Sequence, residues 1–344
     1  MRNLCKNLLV ASLLLSLASC QKDAPQTPDA ELKFSVPKNF PAPVYDFTKN
    51  EVTTAGFQLG RRLFYDAIFS RDSTIACADC HISFSAFSHV DHPTSHGIDG
   101  LFGKRNAPAI QNMAWRTTFF WDGGVPHLDL VPLNAIQNPV EMDELPANVV
   151  RKLNRHPEYP QLFKLAFPER DSITGASMLQ ALSQFMNMLV SADSRYDRFV
   201  RNEPGNSLST DEIAGLNLFR EKCSTCHAGE LFTDQTFRNN GILNDFSLDK
   251  GRNEVSALAE DIGKFAVPSL RNVEKTPPYM HNGKFPTLQS VLDHYASGIK
   301  NSPTLDPLLQ NGIALSDTEK KQIIAFLKTL TDENFIRDVR FQKH

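Results

Sequence analysis

The sequence predicts a mainly α-helical chain made of two similar halves, and three observations carry that prediction. The pattern Cys-x-x-Cys-His occurs twice, as Cys77-Ala78-Asp79-Cys80-His81 and as Cys223-Ser224-Thr225-Cys226-His227. A related stretch precedes each copy, Gly60-Arg61-Arg62-Leu63-Phe64 before the first and Gly215-Leu216-Asn217-Leu218-Phe219 before the second. Apolar residues recur at helical spacing around both copies, whereas few segments alternate as strands do. At 344 residues the chain is long for one domain and comfortable for two.

Residues 1–19 read as a signal peptide. Arg2 and Lys6 are basic, and Leu8 to Ala18 form an apolar run too short to span a bilayer. The run ends in Leu17-Ala18-Ser19-Cys20, which resembles a bacterial lipobox, so Cys20 is expected to carry a lipid. The rival reading is an ordinary cleaved signal that contains a cysteine. Residues 20–44 read as a tether, because prolines at 25, 28, 37, 41 and 43 fall in a stretch with no apolar period.

The first folded unit is then expected over 45–204 and the second over 205–344, parted at the turn-rich Glu203-Pro204-Gly205-Asn206. Each unit reads as helix, cysteine motif, long loops and closing helix. The closing helix of the first carries Met178, Leu182, Phe185 and Leu189 on one face. The second unit opens with the capping box Ser209 to Glu212, followed by Ile213, Leu216 and Phe219. Its last helix opens with Ser316 to Glu319 and carries Ile323, Phe326, Leu327 and Leu330.

Six cysteines are present. Cys5 lies in the signal and Cys20 in the lipobox, and the other four fall into the two motifs, so none is left for a structural disulfide. Cys-x-x-Cys-His suits covalent haem for a geometric reason. Two thiols can add to two vinyl groups on one porphyrin edge, and the next residue lies beneath the ring, where its imidazole reaches iron. Cys77, Cys80 and His81 would hold one c-type haem, and Cys223, Cys226 and His227 a second. Zinc bound by four thiolates is a competing reading, but it leaves both following histidines as coincidences. A redox dithiol would more often come with a βαβ pattern, which is missing. The formal charge of −3 with no basic run argues against nucleic-acid binding.

From about residue 50 to 335 the chain resembles the bacterial di-haem cytochrome c peroxidase and MauG family. The matching segments occur in order. They are Arg105-Asn106-Ala107-Pro108, Phe120-Trp121-Asp122-Gly123, Pro139-Val140-Glu141-Met142, Val267 to Asn272, and Pro277-Pro278-Tyr279-Met280-His281-Asn282-Gly283. The resemblance implies two cytochrome c-like domains, each with one covalent haem, and a calcium ion between them. It implies that His81 is the proximal ligand of the peroxide-reactive haem, that Trp121 lies between the haems and that Glu141 is the distal acid–base group. A carboxylate there can carry a proton between the two peroxide oxygens. Calcium carries over onto the Asn106 side chain and the carbonyls of Thr276 and Pro278, oxygen ligands that suit a hard cation.

The chain departs from the peroxidase pattern at three places. Where reductively activated peroxidases have a histidine that blocks the first iron, Ile98 stands, so that iron is expected to be open. His89, His92 and His96 are the neighbouring histidines able to swing in. Where the peroxidases have methionine on the second iron, Tyr295 stands, as in MauG-like members, with Met280, His281 and His294 as rival ligands. A glutamine common in the peroxidases is replaced around Val131-Pro132. Phenolate ligation would favour higher iron oxidation states and lower the potential relative to methionine.

The expected activity is reduction of hydrogen peroxide to water, with electrons from a small cytochrome c or cupredoxin in the periplasm. Two other readings stay open: MauG-like oxidation of side chains on a partner protein, and electron transfer without catalysis. A homodimer is among the assemblies compatible with the sequence. Gln21 after the lipidated cysteine is compatible with sorting to the outer membrane.

Overall fold

The computed structural model describes residues 32–343, so the signal peptide and Cys20 lie outside the described residues. Helices and connecting loops make up nearly all of it. Among the described residues the only paired strands are two-residue segments, Phe237–Arg238 antiparallel to Phe265–Ala266. No helix among the described residues is long and apolar enough to cross a membrane.

Two helix pairs organise the chain, and they are built alike. Thr54–Phe64 packs across Gly175–Met188, and Thr210–Lys222 packs across Asp317–Lys328. Each crossing needs a glycine. A Cβ on Gly60 would run into the Ala181 carbonyl and lie 3.0 Å from Phe185 Cβ. A Cβ on Gly215 would run into the Gln322 carbonyl and lie 3.0 Å from Phe326 Cβ. The capping boxes read at Ser209 and Ser316 are both formed, each serine oxygen accepting from the backbone N–H of the glutamate three residues on.

Each pair seats a cluster of three phenylalanines. Phe64 and Phe87 lie 5.0 Å and 6.3 Å from Phe185 between ring centroids. Phe219 and Phe232 lie 5.1 Å and 6.2 Å from Phe326. Around these grow two hydrophobic cores. One runs from Val52 to Leu189, with Met178, Leu182, Phe185 and Leu189 all buried. The other runs from Tyr196 to Leu330. The chain's last turn goes back to the first core, where Phe335, Ile336 and Phe341 are buried.

A longer repeat joins the halves. Pro108-Ala109-Ile110-Gln111-Asn112 matches Pro268-Ser269-Leu270-Arg271-Asn272, and Asn112 and Asn272 share a left-handed φ of 56°. The Asn112 N–H donates to the Leu189 carbonyl at 2.8 Å and that of Asn272 to the Leu330 carbonyl at 3.1 Å. Further on, Phe119 bridges Val125 as Tyr279 bridges Phe285. Beside the second core Arg271 and Asp197 form a bidentate, fully buried ion pair with both contacts at 2.8 Å.

The part of the expected tether within the described residues, 32–44, has no helix or strand, as its prolines require. It nonetheless lies on the body. Phe40 is buried edge-on against Trp115, and the Trp115 indole N–H donates to the Pro41 carbonyl at 2.8 Å. Single aromatic anchors, with no periodicity for the sequence to reveal, fix this segment.

Candidate active site

The two motif histidines are held in the same way. The Nδ1 of His81 lies 2.9 Å from the Phe87 carbonyl, and that of His227 lies 3.1 Å from the Phe232 carbonyl and 3.2 Å from that of Pro268. A carbonyl only accepts, so Nδ1 carries the proton and Nε2 keeps its lone pair for a metal. The backbones supplying these acceptors match, with φ of 60° at Phe87 and 54° at Phe232. Burial lowers both histidine pKa values, which keeps the rings neutral. Four half-buried, unpaired thiols accompany them. Burial pushes Cys77 and Cys223 up to about 12 and Cys80 to about 11. That is opposite to the lowered values of reactive dithiols. Among the described residues no three His, Cys, Asp or Glu side chains converge as a metal-holding group, so the four thiols are not gathered for zinc. Paired thiols beside an imidazole with a free Nε2 fit covalent haem at both places.

A cavity of about 410 Å³ holds the second set. Cys223, Cys226, His227 and Tyr295 all line it, beside apolar Leu288, Val291, Leu292 and Ile323. The rivals to Tyr295 are otherwise engaged. His294 Nε2 lies 3.0 Å from the Asn240 carbonyl. Met280 Sδ accepts from the Asn240 side-chain amide at 3.2 Å. His281 stacks on Phe265 with centroids 3.5 Å apart, and burial pulls its pKa down to about 4. Burial pushes the Tyr295 phenol up to about 12, against the Asn240 amide, which lowers it.

The first set differs in what surrounds it. Glu141 is near enough to Cys77 and Cys80 for its charge to raise both thiols. Burial raises its own pKa, and the Asn138 amide, donating to Oε1 at 2.7 Å, opposes that rise. Its carbonyl accepts from the Ile98 N–H at 2.8 Å, and Gly97 packs so tightly on its backbone that a Cβ would clash. Glu144, by contrast, pairs with Lys152 at 2.7 Å. Of the loop histidines, His89 is buried with Nε2 3.0 Å from His92 Nε2, and His96 is exposed. Counted along the sequence from the Phe119 and Tyr279 bridges, the position in the first half that corresponds to Tyr295 is Ala135, which has no metal-ligating atom. Val131-Pro132 begins the helix that carries it.

Trp121 lines the cavity of the second set and donates its indole N–H to the Asn106 carbonyl at 2.8 Å. Two residues beyond Asn106, the Pro108 carbonyl lies against His81. The Trp121 carbonyl is fixed in turn by the Ala266 N–H at 2.7 Å. Asn106 is buried and lines the same cavity as Thr276 and Pro278. The Asn106 amide donates to the Pro93 carbonyl at 2.9 Å, and oxygens are what these three residues have to offer a hard cation.

The sequence reading missed the acceptor carbonyls of Phe87 and Phe232, and it missed Asn240. The first two had a signal in the longer repeat, since both follow their histidines at nearly the same distance. Asn240 had none, lying in the turn-like Asn239-Asn240-Gly241.

Comparisons with known proteins identify the family. Residues 54–205 match the family model described as di-haem cytochrome c peroxidase. The chain is 32% identical to the methylamine utilization protein MauG of Methylorubrum extorquens, over 92% of this chain and 89% of that protein. It is 31% identical to the cytochrome c551 peroxidase of Nitrosomonas europaea, over 80% of each. Among solved structures, a MauG-like protein associated with microbial copper homeostasis superposes with a TM-score of 0.83 at 32% identity, covering 90% of this chain and 99% of that one. With two matching cysteine–histidine sites on a helical scaffold shared with these relatives, the chain belongs to the di-haem cytochrome c peroxidase and MauG family.

Proposed function

We propose that the chain is a di-haem c-type peroxidase that reduces hydrogen peroxide to water with electrons from a periplasmic redox protein. The observation that carries this reading is the asymmetry of two otherwise equivalent sites. Tyr295 lines the second cavity with Cys223, Cys226 and His227, whereas the sequence counterpart of Tyr295 in the first half is Ala135, and the half-buried carboxyl of Glu141 lies near Cys77 and Cys80. One site is built to be filled by a protein ligand and the other to be left open. Each half then corresponds to one cytochrome c-like domain, 45–204 and 205–344, crossed at Gly60 and Gly215.

Bound haems supply iron that binds peroxide and stores oxidising equivalents. The protein does the rest. Cys77 and Cys80 fix one group and Cys223 and Cys226 the other, with His81 and His227 presenting Nε2. Glu141 would take a proton from one peroxide oxygen at its carboxylate and return it to the other, releasing one water, and two electrons from the redox partner with two further protons would turn the remaining oxygen into a second water. Its burial and the Asn138 amide keep it poised for both states. Trp121, tied to Asn106 on one side and lining the second cavity on the other, bridges the sites. Calcium held by Asn106, Thr276 and Pro278 would brace that bridge. Cys20 carries the lipid that holds the protein at a periplasmic membrane face, with the outer membrane the destination that Gln21 favours.

A second reading, oxidation of side chains on a partner protein, is favoured by one observation, that Tyr295, a phenol able to act as an anionic ligand, lines the second cavity beside Cys223, Cys226 and His227. Turnover separates the readings. Holoprotein mixed with peroxide and a reduced small c-type cytochrome should oxidise the cytochrome catalytically. Glu141→Gln should slow this about 100-fold with both haems loaded. Intact haems that consume peroxide without oxidising any small donor would contradict the peroxidase reading.

A further inference from the structure

We infer that Asn240 is a positioning residue that selects Tyr295 over Met280 as the ligand of the second site. The inference rests on the reading that Tyr295 is that ligand, and it deepens it. Met280 and Tyr295 line one cavity with Cys223, Cys226 and His227, and Asn240 lines it between them. The Asn240 amide nitrogen donates to Met280 Sδ at 3.2 Å. A thioether sulfur engaged this way offers one lone pair fewer to a metal. The same side chain also faces the Tyr295 phenol, whose pKa it lowers against the rise that burial causes. An amide has two N–H donors, so one group can restrain the sulfur and support the phenol oxygen together.

The amide's orientation is set by its surroundings. Its Oδ1 accepts from the Ile242 N–H at 3.4 Å, which directs the NH₂ toward the two ligand candidates. The Asn240 carbonyl accepts from His294 Nε2 at 3.0 Å, which anchors the backbone and removes a third candidate. Met280 itself is held at a left-handed φ of 76°. Its counterpart in the first half, Phe120, has a φ of 68°, so this backbone belongs to the repeat and was not shaped for ligation. The sulfur is therefore near the site for architectural reasons, and some other group has to keep it off the metal.

The test uses the haem-loaded full chain. Resonance Raman and near-infrared spectra report tyrosinate or thioether ligation, and a redox titration reports the second potential. Asn240→Asp keeps the shape and acceptor but loses both donors, and Asn240→Val removes the polar group. Either should raise the share of thioether ligation about tenfold, the equilibrium worth of one hydrogen bond. The second potential should rise with it, and Met280→Leu added to either variant should reverse both changes. A wild-type protein with no tyrosinate signature would overturn the Tyr295 reading itself. A wild type with that signature, and Asn240 variants that keep both signature and potential, would overturn the role of Asn240 alone.

Discussion

The Trp121 indole and the His281 imidazole meet edge to face, with centroids 6.5 Å apart and planes at 70°. They occupy matching places in the two repeats, each following a residue in left-handed backbone and preceding a glycine with φ near that of its counterpart, 67° at Gly123 and 63° at Gly283. The His281 carbonyl accepts from the Asn106 N–H at 2.7 Å, and the Asn106 carbonyl accepts from Trp121. Trp121, Asn106 and His281 are thus joined by two hydrogen bonds and one ring contact, the place proposed for the bridge between the sites.

Trp121→Phe keeps the ring and loses the N–H. The first site should still react with peroxide, while oxidation of the second slows. Stopped-flow absorption that follows both haems checks this. Equal rates at the second haem in variant and wild type would exclude the bridge.

Glu141 gives a pH prediction. Its carboxyl is raised above the ordinary 4.5 by burial, and it must be ionised to accept a proton. Reactivity toward peroxide should therefore rise with pH through a midpoint above that value, and Glu141→Gln should lose this limb. The check is kcat/KM for peroxide against pH in both proteins.

The buried pair of Asp197 and Arg271 predicts a stability change. Burial pushes the Asp197 carboxyl up, but the hydrogen bonds and charge of Arg271 outweigh it and hold the group below its usual 3.8. A depressed carboxyl contributes stability above the unfolded value and loses it as pH falls through the folded one. Asp197→Ala should cost about 3–5 kcal/mol at neutral pH, because it leaves a buried guanidinium unpaired. Denaturant unfolding at neutral and acid pH measures it, and the gap between variant and wild type should narrow in acid.

Gly215→Ala separates helix propensity from packing. In an exposed helix the change would stabilise by about 1 kcal/mol. Here the added Cβ meets the Gln322 backbone, so the variant should be destabilised by about 1–3 kcal/mol instead. A rise in Tm would contradict the crossing.

The parts of this architecture that were legible in the sequence are those set by neighbours along the chain. Ser209 and Ser316 announce their helices because a cap acts over three residues. Met178, Leu182, Phe185 and Leu189 announce a buried face through local period. Cys77 to His81 and Cys223 to His227 carry their chemistry in five residues each. Asn240 acts on Met280 and His294, which only folding brings close, and its own surroundings in sequence look like ordinary loop, whereas the Phe87 and Phe232 carbonyls lie near their histidines but, as backbone atoms, carry no residue-type signal. The Pro108 and Pro268 repeat was hidden because most positions between its fixed points differ, Trp121 against His281 among them. The segment 32–44 was read as a free tether because Phe34 and Phe40 act as single anchors, and no local pattern marks such anchors.

Two sites built on one plan are proposed to differ in what caps them, Tyr295 over the second and no ligand over the first. An EPR spectrum of the oxidised holoprotein, repeated after one equivalent of peroxide, tests this most directly. The account predicts one high-spin and one low-spin haem, the low-spin signal of tyrosinate character, with reaction on the first addition and no prior reduction. Two low-spin haems that react only after reduction would contradict it, and would point to a blocking ligand on the first iron.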